Sequence, residues 1–391
     1  MKYNVILLSL FFISIIMIAF PMIIYPSILE LLGFIIPKKE FKTNGSYEPT
    51  VTIMIVAHNE EEVIVNKLIN TVRLNYPKNK LSVVVAADNC SDNTVCLVNK
   101  FINENNDVPI YVYETEYHLG KTNAQNEAYR HIKSDILIMT DANSMFKSNA
   151  VKELVAPLYD KEVAYVCGKL VYTNDDNVGD SESTYWNYDL HQRKLESDLQ
   201  TITAGNGSIY ACRTKEYIQI KNIECHDSMM PYLYALSERR CIFNPKAIAY
   251  EKTGENNKKE FKRKIRMNRT ILDVMFKRIK SLNFIRYKWF SLFYFGHRIA
   301  RSWIWFFHLL LFIDNLLLAL YLKGIWLFLL LFQIGIYILS YLSIKYNFRF
   351  KPLRLVGYYN MTILSQMIAA LKQLFGLSKS TWENTRESRE M

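Results

Sequence analysis

The chain is poor in the features that mark secreted, zinc-dependent or repetitive proteins. It has six cysteines in 391 residues (Cys90, Cys96, Cys167, Cys212, Cys225 and Cys241), with no C-x-x-C pair and no cluster at metal-ligand spacing. That argues against a structural zinc and fits reduced thiols in cytoplasm. No segment repeats at a fixed period and no tract is compositionally biased, so a repeat array or a low-complexity stretch is excluded. No small-residue cleavage pattern follows the first apolar run, which favours a retained anchor over a removable secretory signal.

Half of the chain is hydrophobic, concentrated toward the two ends. Residues 4–24 carry no charge and reach the roughly 20 residues that a spanning helix needs. The apolar character continues past Pro21 and Pro26 to Pro37, interrupted by Glu30, so residues 25–37 are expected to leave the bilayer along its surface. Two further runs, near 299–322 and 324–344, are separated only by Lys323 and Gly324 and predict a membrane hairpin. Asp314 inside the first of them is costly at that depth and reads as a helix–helix contact, with a substrate path as the alternative. Residues 353–377, broken by Arg354, Asn360, Gln366 and Lys372, predict an interfacial helix, with a further span as the alternative. Lys38, Lys39 and Lys42 follow the first span, and Lys345, Arg349, Lys351 and Arg354 follow the last. Basic residues stay inside, so a multi-pass protein of the cell membrane is expected, with its polar middle cytoplasmic.

The formal charge of +11 would suit nucleic acid, but the excess flanks apolar segments or lies in residues 258–269. Membrane lipid headgroups or phosphate-bearing substrates account for it, and no nucleic-acid partner is expected. The length allows two or three domains. The expected division is an N-terminal helix and interfacial linker (1–46), a cytoplasmic domain (47–280) and a C-terminal membrane region (281–391).

Within the middle, residues 51–57 form a β-rich apolar run of the kind buried on both faces of a parallel sheet. Strands at 81–87, 109–113 and 135–140 alternate with helical patterns at 61–75, 93–104 and 121–132, which predicts an α/β domain with a parallel sheet. Ligands bind such sheets beyond the carboxyl ends of the strands, where Glu60, Asp88 and Asp141 stand.

The segments His58-Asn59-Glu60-Glu61, Asp88-Asn89-Cys90-Ser91-Asp92-Asn93-Thr94, Gly120 to Asn126 and Thr140-Asp141-Ala142-Asn143-Ser144 resemble successive signatures of the membrane-bound family 2 glycosyltransferases. Ala204 to Ser208, Cys225-His226-Asp227 and Arg263-Lys264-Ile265-Arg266-Met267 follow in the same order. The resemblance covers about residues 50–270. It implies a GT-A fold, that is, a Rossmann-like nucleotide-sugar domain, flanked by transmembrane helices. It also implies an inverting transfer of a sugar from a UDP-sugar donor to a lipid-linked or growing glycan.

On this resemblance Asn59 and Glu60 meet the nucleotide, and Asp88 accepts the imide proton of uracil. Lys121 and Asn126 serve the donor, with Lys121 at a helix start, where a bound anion offsets the repulsion that the dipole imposes on a cation. Asp141 and Asn143 hold Mg2+ or Mn2+, oxygen-ligated ions that keep part of their shell for substrate phosphate. Asp227 is the base that takes the acceptor's proton. Asn206, beside Gly207, admits the backbone close to the donor sugar. Arg263 and Arg266 face the diphosphate, where a guanidinium bonds two oxygens at once. Glu182, Tyr185, Trp186, Tyr188, His191 and Arg193 suit an acceptor sugar equally with plain helix packing.

Four positions depart from the family pattern. Ala87 and Asn143 each replace an acid, His226 replaces the acid before the base, and Arg263 to Met267 replaces a Gln-x-x-Arg-Trp motif. The last change removes an aromatic plate and disfavours repeated addition. A processive synthase that extrudes its polymer is the alternative, and three spans would then require self-association or an export partner. A membrane-tethered nucleotide-sugar sensor would use Glu60, Asp88 and Asp141 but not Asp227. A transporter finds little in the spans beyond Asp314.

Overall fold

The computed structural model describes all residues except Met1, Asn106, 174–179, 253–256, Asn347, Arg349 and 382–391. Nothing is described of the side chains of 2–3 and 180–185. The chain divides into two compact units. One comprises residues 36–176, 189–255 and 379–391, and the other residues 1–35, 177–188 and 256–378.

The first unit is built on an eight-stranded sheet of order β3-β2-β1-β4-β7-β6-β8-β5. The strands are β1 Val51–Ala57, β2 Leu81–Ala87, β3 Ile110–Glu114, β4 Ile136–Asp141, β5 Met145–Phe146, β6 Val163–Thr173, β7 Tyr210–Arg213 and β8 Arg240–Lys252. Every residue of β1 is buried, which is why it reads as an unbroken apolar run rather than an alternation. β1 pairs in parallel with β2 on one side and β4 on the other, with Val56 opposite Asp141. The chain moves outward through β2 and β3, then crosses back to β4. The order therefore reverses beside β1, and a crevice opens past the carboxyl ends of β1 and β4.

Beyond β4 the sheet is mixed rather than parallel. β7 runs antiparallel to both β4 and β6, β6 runs parallel to β8 with two bulges, and β5 is a two-residue edge. Strands as short as β5 and β7 carry too few side chains to show a period. Residues 36–46 belong to this unit, since Arg240 donates to the carbonyls of Lys39 and Glu40, and Lys39 N donates to Asp198 O. This unit holds all six cysteines, and none of them is in a disulfide among the described residues. Burial pushes Cys212 up to about 12 and Cys90 up to about 11, and raises Cys167 and Cys241.

Among the described residues, the second unit contains three helices long and apolar enough to cross a membrane: Asn4–Ile35, Trp289–Leu322 and Ile325–Lys345. The first runs 32 residues, past the point near residue 24 where the sequence suggested a turn onto the surface. A π-helical turn at Phe20–Ile24 contains Pro21 and ends just before Pro26, with Tyr25 N bonded to Phe20 O. A proline ring collides with the carbonyl one turn before it, and a widened turn gives room. The Met22 carbonyl accepts the Tyr188 hydroxyl at 2.6 Å. In the hairpin, Asp314 and Asn315 are each 2 % exposed, and Asn315 bonds Gln333, which bonds Tyr337, both at 3.0 Å. The helix Lys351–Leu374 is not among the three apolar helices. Residues 257–280 cluster with this unit, although the sequence grouped them with the sheet.

Candidate functional site

Two asparagines in left-handed backbone, Asn59 and Asn89, turn the chain sharply at the ends of β1 and β2. Asn59 Oδ1 accepts Ser91 N at 2.8 Å and so ties the two turns together. Glu60, 7 % exposed, donates its amide to Thr94 Oγ1 at 2.7 Å. Asp92 accepts from the amide and hydroxyl of Thr94 and from Glu61 N, organising the turn before the helix Thr94–Glu104.

Asp88 is fully buried, and its carboxylate gathers the following loop. It accepts Leu119 N at 3.2 Å, Gly120 N at 2.9 Å and Thr115 Oγ1 at 3.3 Å, and His118 Nδ1 stands 2.8 Å from it. Against it lie His58 and His118, stacked with ring centres 3.8 Å apart and planes 14° off parallel. The His58 Nδ1 bonds the Asp88 carbonyl at 2.7 Å. Burial pushes His58 below its ordinary value, opposed by that bond, while His118 pushes the same way as burial. His58, Asp88 and His118 bring one ligand atom each within 4.8 Å. Two nearly parallel rings do not aim their lone pairs at one ion, so the stack is better suited to a planar base than to a metal.

The centre of the crevice is organised around Gly207. A Cβ there would stand 3.0 Å from Lys121 Nζ, 3.7 Å from Asp227 Oδ2 and 3.8 Å from Asp141 Oδ2. An ammonium and two carboxylates thus surround a stretch of backbone kept bare by glycine. Lys121 opens the helix Lys121–Tyr129, pairs with Asp141 and donates to Gly207 O at 3.3 Å. Burial disfavours its charge, but Asp141 and then Asp227 overcome this and hold it above the ordinary lysine value.

Asp227 lies in the first turn of the helix His226–Leu236, whose N-cap is Cys225. Its carbonyl accepts Gly205 N at 2.7 Å. His226 pins that helix start, with Nε2 2.7 Å from Tyr217 Oη and Nδ1 2.8 Å from Gln125 Oε1. Burial, then the nearby Lys121 charge, push His226 down to about 3. An unfolded histidine binds its proton near 6.5, so stability present above that pH is expected to be lost as pH falls through about 3. His226→Gln should flatten this part of a plot of melting temperature against pH.

Two residues at this site escaped the sequence reading. Lys67 is fully buried, with Nζ donating to Thr140 Oγ1 at 3.0 Å and to Ser144 O beneath the β4 turn. Burial pulls it down to about 7 against the Asp141 and Glu251 carboxylates. Its signal was a lysine in the apolar stripe formed by Ile64, Leu68 and Thr71. Glu251, near the end of β8, accepts Asn143 Nδ2 at 3.0 Å, Ser144 Oγ at 3.1 Å and Ser208 Oγ at 3.2 Å.

Other expected residues hold the frame. Asn206 bonds Gly168 O at 2.7 Å and accepts Ser208 N and Ile209 N, both at 3.1 Å, which shapes the loop that presents Gly207. Asn126 bonds Ile220 O and Tyr217 Oη. Arg193 pairs with Asp189 in the interior at 2.9 Å. Arg263 pairs with Glu260 in the helix Asn257–Met267 of the other unit, which also carries Arg266. The side chains of Glu182 and Tyr185 lie outside the described residues.

The donor set around Asp141 fits a hard divalent ion. It is all oxygen (Asp141, Asn143, and Ser208 Oγ at 3.4 Å from Asp141 Oδ2), and the Lys121 ammonium already places a cation on the carboxylate.

The model for glycosyl transferase family 2 matches residues 52–218. The chain is 33 % identical over 176 residues to a probable glycosyltransferase YdaM of Bacillus subtilis (strain 168), covering 42 % of this chain and 41 % of that protein. It is 29 % identical over 129 residues to a poly-beta-1,6-N-acetyl-D-glucosamine synthase of Staphylococcus aureus (strain COL), covering 33 % and 30 %. The chain thus spans well under half the length of these relatives. Among solved structures, the mannosyltransferase PcManGT from Pyrobaculum calidifontis in complex with GDP-Man and Mn2+ aligns over 94 % of this chain and 99 % of that one. Its TM-score is 0.74 at 20 % identity, a likeness of fold. The sheet and the matched segment agree: residues 52–218 match the family 2 glycosyltransferase model, on a sheet of GT-A fold.

Proposed function

We propose that the protein transfers a sugar from a UDP-sugar to a lipid-linked or growing glycan, with inversion, at the cytoplasmic face of the cell membrane. One observation carries this reading: Asp227, Lys121 and Asp141 meet around Gly207 at the centre of the crevice. The acceptor hydroxyl attacks the anomeric carbon from the side of Asp227, whose carboxylate takes the proton as the new bond forms and the bond to the diphosphate breaks. Lys121 offers its ammonium to the departing phosphate oxygens. Asp141 and Asn143 would hold Mg2+ or Mn2+, which supplies charge neutralisation at the diphosphate. The stacked His58 and His118, with the Asp88 clasp, frame the base end.

The first test is a screen of UDP- and GDP-sugars against purified full-length protein with lipid extract, with products sized by mass spectrometry. A single mass increment from one UDP-sugar is expected. A ladder would make the protein a polymer synthase, and no product from any donor would sink the reading. Asp88→Asn should weaken UDP binding about tenfold by isothermal titration, since a charged acceptor for two backbone amides and one hydroxyl becomes a neutral one.

A further inference from the structure

The divalent-ion site implied by the family is one charge short, because Asn143 stands where a second acid is usual. The amide's orientation is fixed from elsewhere in the chain. Asn143 Nδ2 donates to Glu251 Oε1 at 3.0 Å, which leaves Oδ1 as the end free to face a cation. An amide nitrogen is no ligand for a hard ion, whereas an amide oxygen is.

Glu251 does more than orient one side chain. Its Oε2 accepts Ser144 Oγ at 3.1 Å and Ser208 Oγ at 3.2 Å, and the Ser208 hydroxyl also lies 3.4 Å from Asp141 Oδ2. Two carboxylates are thereby linked through one hydroxyl. Like charges this close repel, and the fold answers with the Lys121 ammonium on Asp141 and the Lys67 amine buried beneath the turn. The arrangement keeps two negative charges at the site, as a pair of acids on β4 would, with one of them moved to β8.

We propose that Glu251 is the positioning residue of the divalent-ion site: it turns the Asn143 carbonyl oxygen toward the ion at Asp141 and supplies the negative charge that Asn143 lacks. The inference rests on the transferase reading for the ion's purpose. A residue that merely braced β8 would not care whether the charge sat at 251 or at 143.

The test is Mn2+ affinity of the detergent-solubilised full-length protein in the presence of UDP, read by electron paramagnetic resonance of free Mn2+. Glu251→Gln should weaken Mn2+ about 10- to 100-fold, the usual effect of losing a carboxylate behind a metal ligand. The double variant Asn143→Asp with Glu251→Gln should recover most of that loss, because the charge has moved onto the ligand itself. Unchanged affinity in Glu251→Gln overturns the inference. So does a double variant that melts like wild type yet binds Mn2+ no better than the single one. Should Glu251→Gln fail to fold alone, the double variant decides: tight Mn2+ binding supports the inference and weak binding ends it. Sugar transfer is scored separately. A wild type that keeps this order of Mn2+ affinities and transfers no sugar would end the transferase reading alone.

Discussion

Asp227→Asn is expected to abolish transfer while the donor still binds. The substitution keeps the side chain's shape and leaves the backbone bond from Gly205 N to the residue 227 carbonyl in place. What it removes is the proton acceptor, which in general acid–base catalysis is worth about 10²- to 10⁴-fold in rate. Donor affinity should change little, because Lys121 keeps Asp141 as its direct partner. Titration calorimetry with UDP alongside a UDP-release assay separates binding from chemistry. An asparagine variant that turns over at the wild-type rate would move the base elsewhere. One that no longer binds UDP would make Asp227 part of the donor site.

The second large effect is expected at Gly205. A Cβ there would run into the Tyr165 hydroxyl, and its next neighbours are the ring atoms Cζ at 3.0 Å and Cε1 at 3.1 Å. Tyr165 is fully buried, stacked on Tyr210, so the ring has nowhere to go. Gly205→Ala should therefore cost about 1–3 kcal/mol of stability, as overpacking of a tight interior does. It should also lower the rate, since Gly205 bonds the base-bearing residue. The Tyr165 hydroxyl has no hydrogen-bond partner among the described residues. Tyr165→Phe should then be close to neutral alone and should restore part of the loss in Gly205→Ala, the ring contacts keeping the remainder. Thermal unfolding of the two single variants and the pair measures this. A Gly205→Ala protein that melts with the wild type would show that the loop yields more than its packing suggests.

The parallel half of the sheet was legible because its strands are buried on both faces. β1, β2 and β4 read as apolar blocks at 51–57, 81–87 and 135–140, each ending within a residue of where the structure ends it. Asp227 was legible only through the family resemblance, since locally it is one acid at the start of an ordinary helix. Glu251 was invisible for a different reason: β8 passes from four buried residues into a stretch of mixed exposure, and an acid on such a stretch looks like a solvent-facing position. Its partners are more than forty residues away in sequence, so only the sheet pairing brings them together. Lys67 was hidden by the habit of assigning every lysine on an amphipathic helix to water. The first apolar helix was cut short on paper because two prolines usually end a helix, whereas the chain passes them through one widened turn.

The thiols offer a practical handle. Cys167, Cys212 and Cys241 are sealed in the interior and kept protonated, Cys90 and Cys225 are half-covered, and Cys96 alone stands in solvent on the helix capped by the Asp92 turn. A maleimide dye at neutral pH will therefore modify one place first, without mutagenesis. Its emission would report when a nucleotide settles over the neighbouring turn.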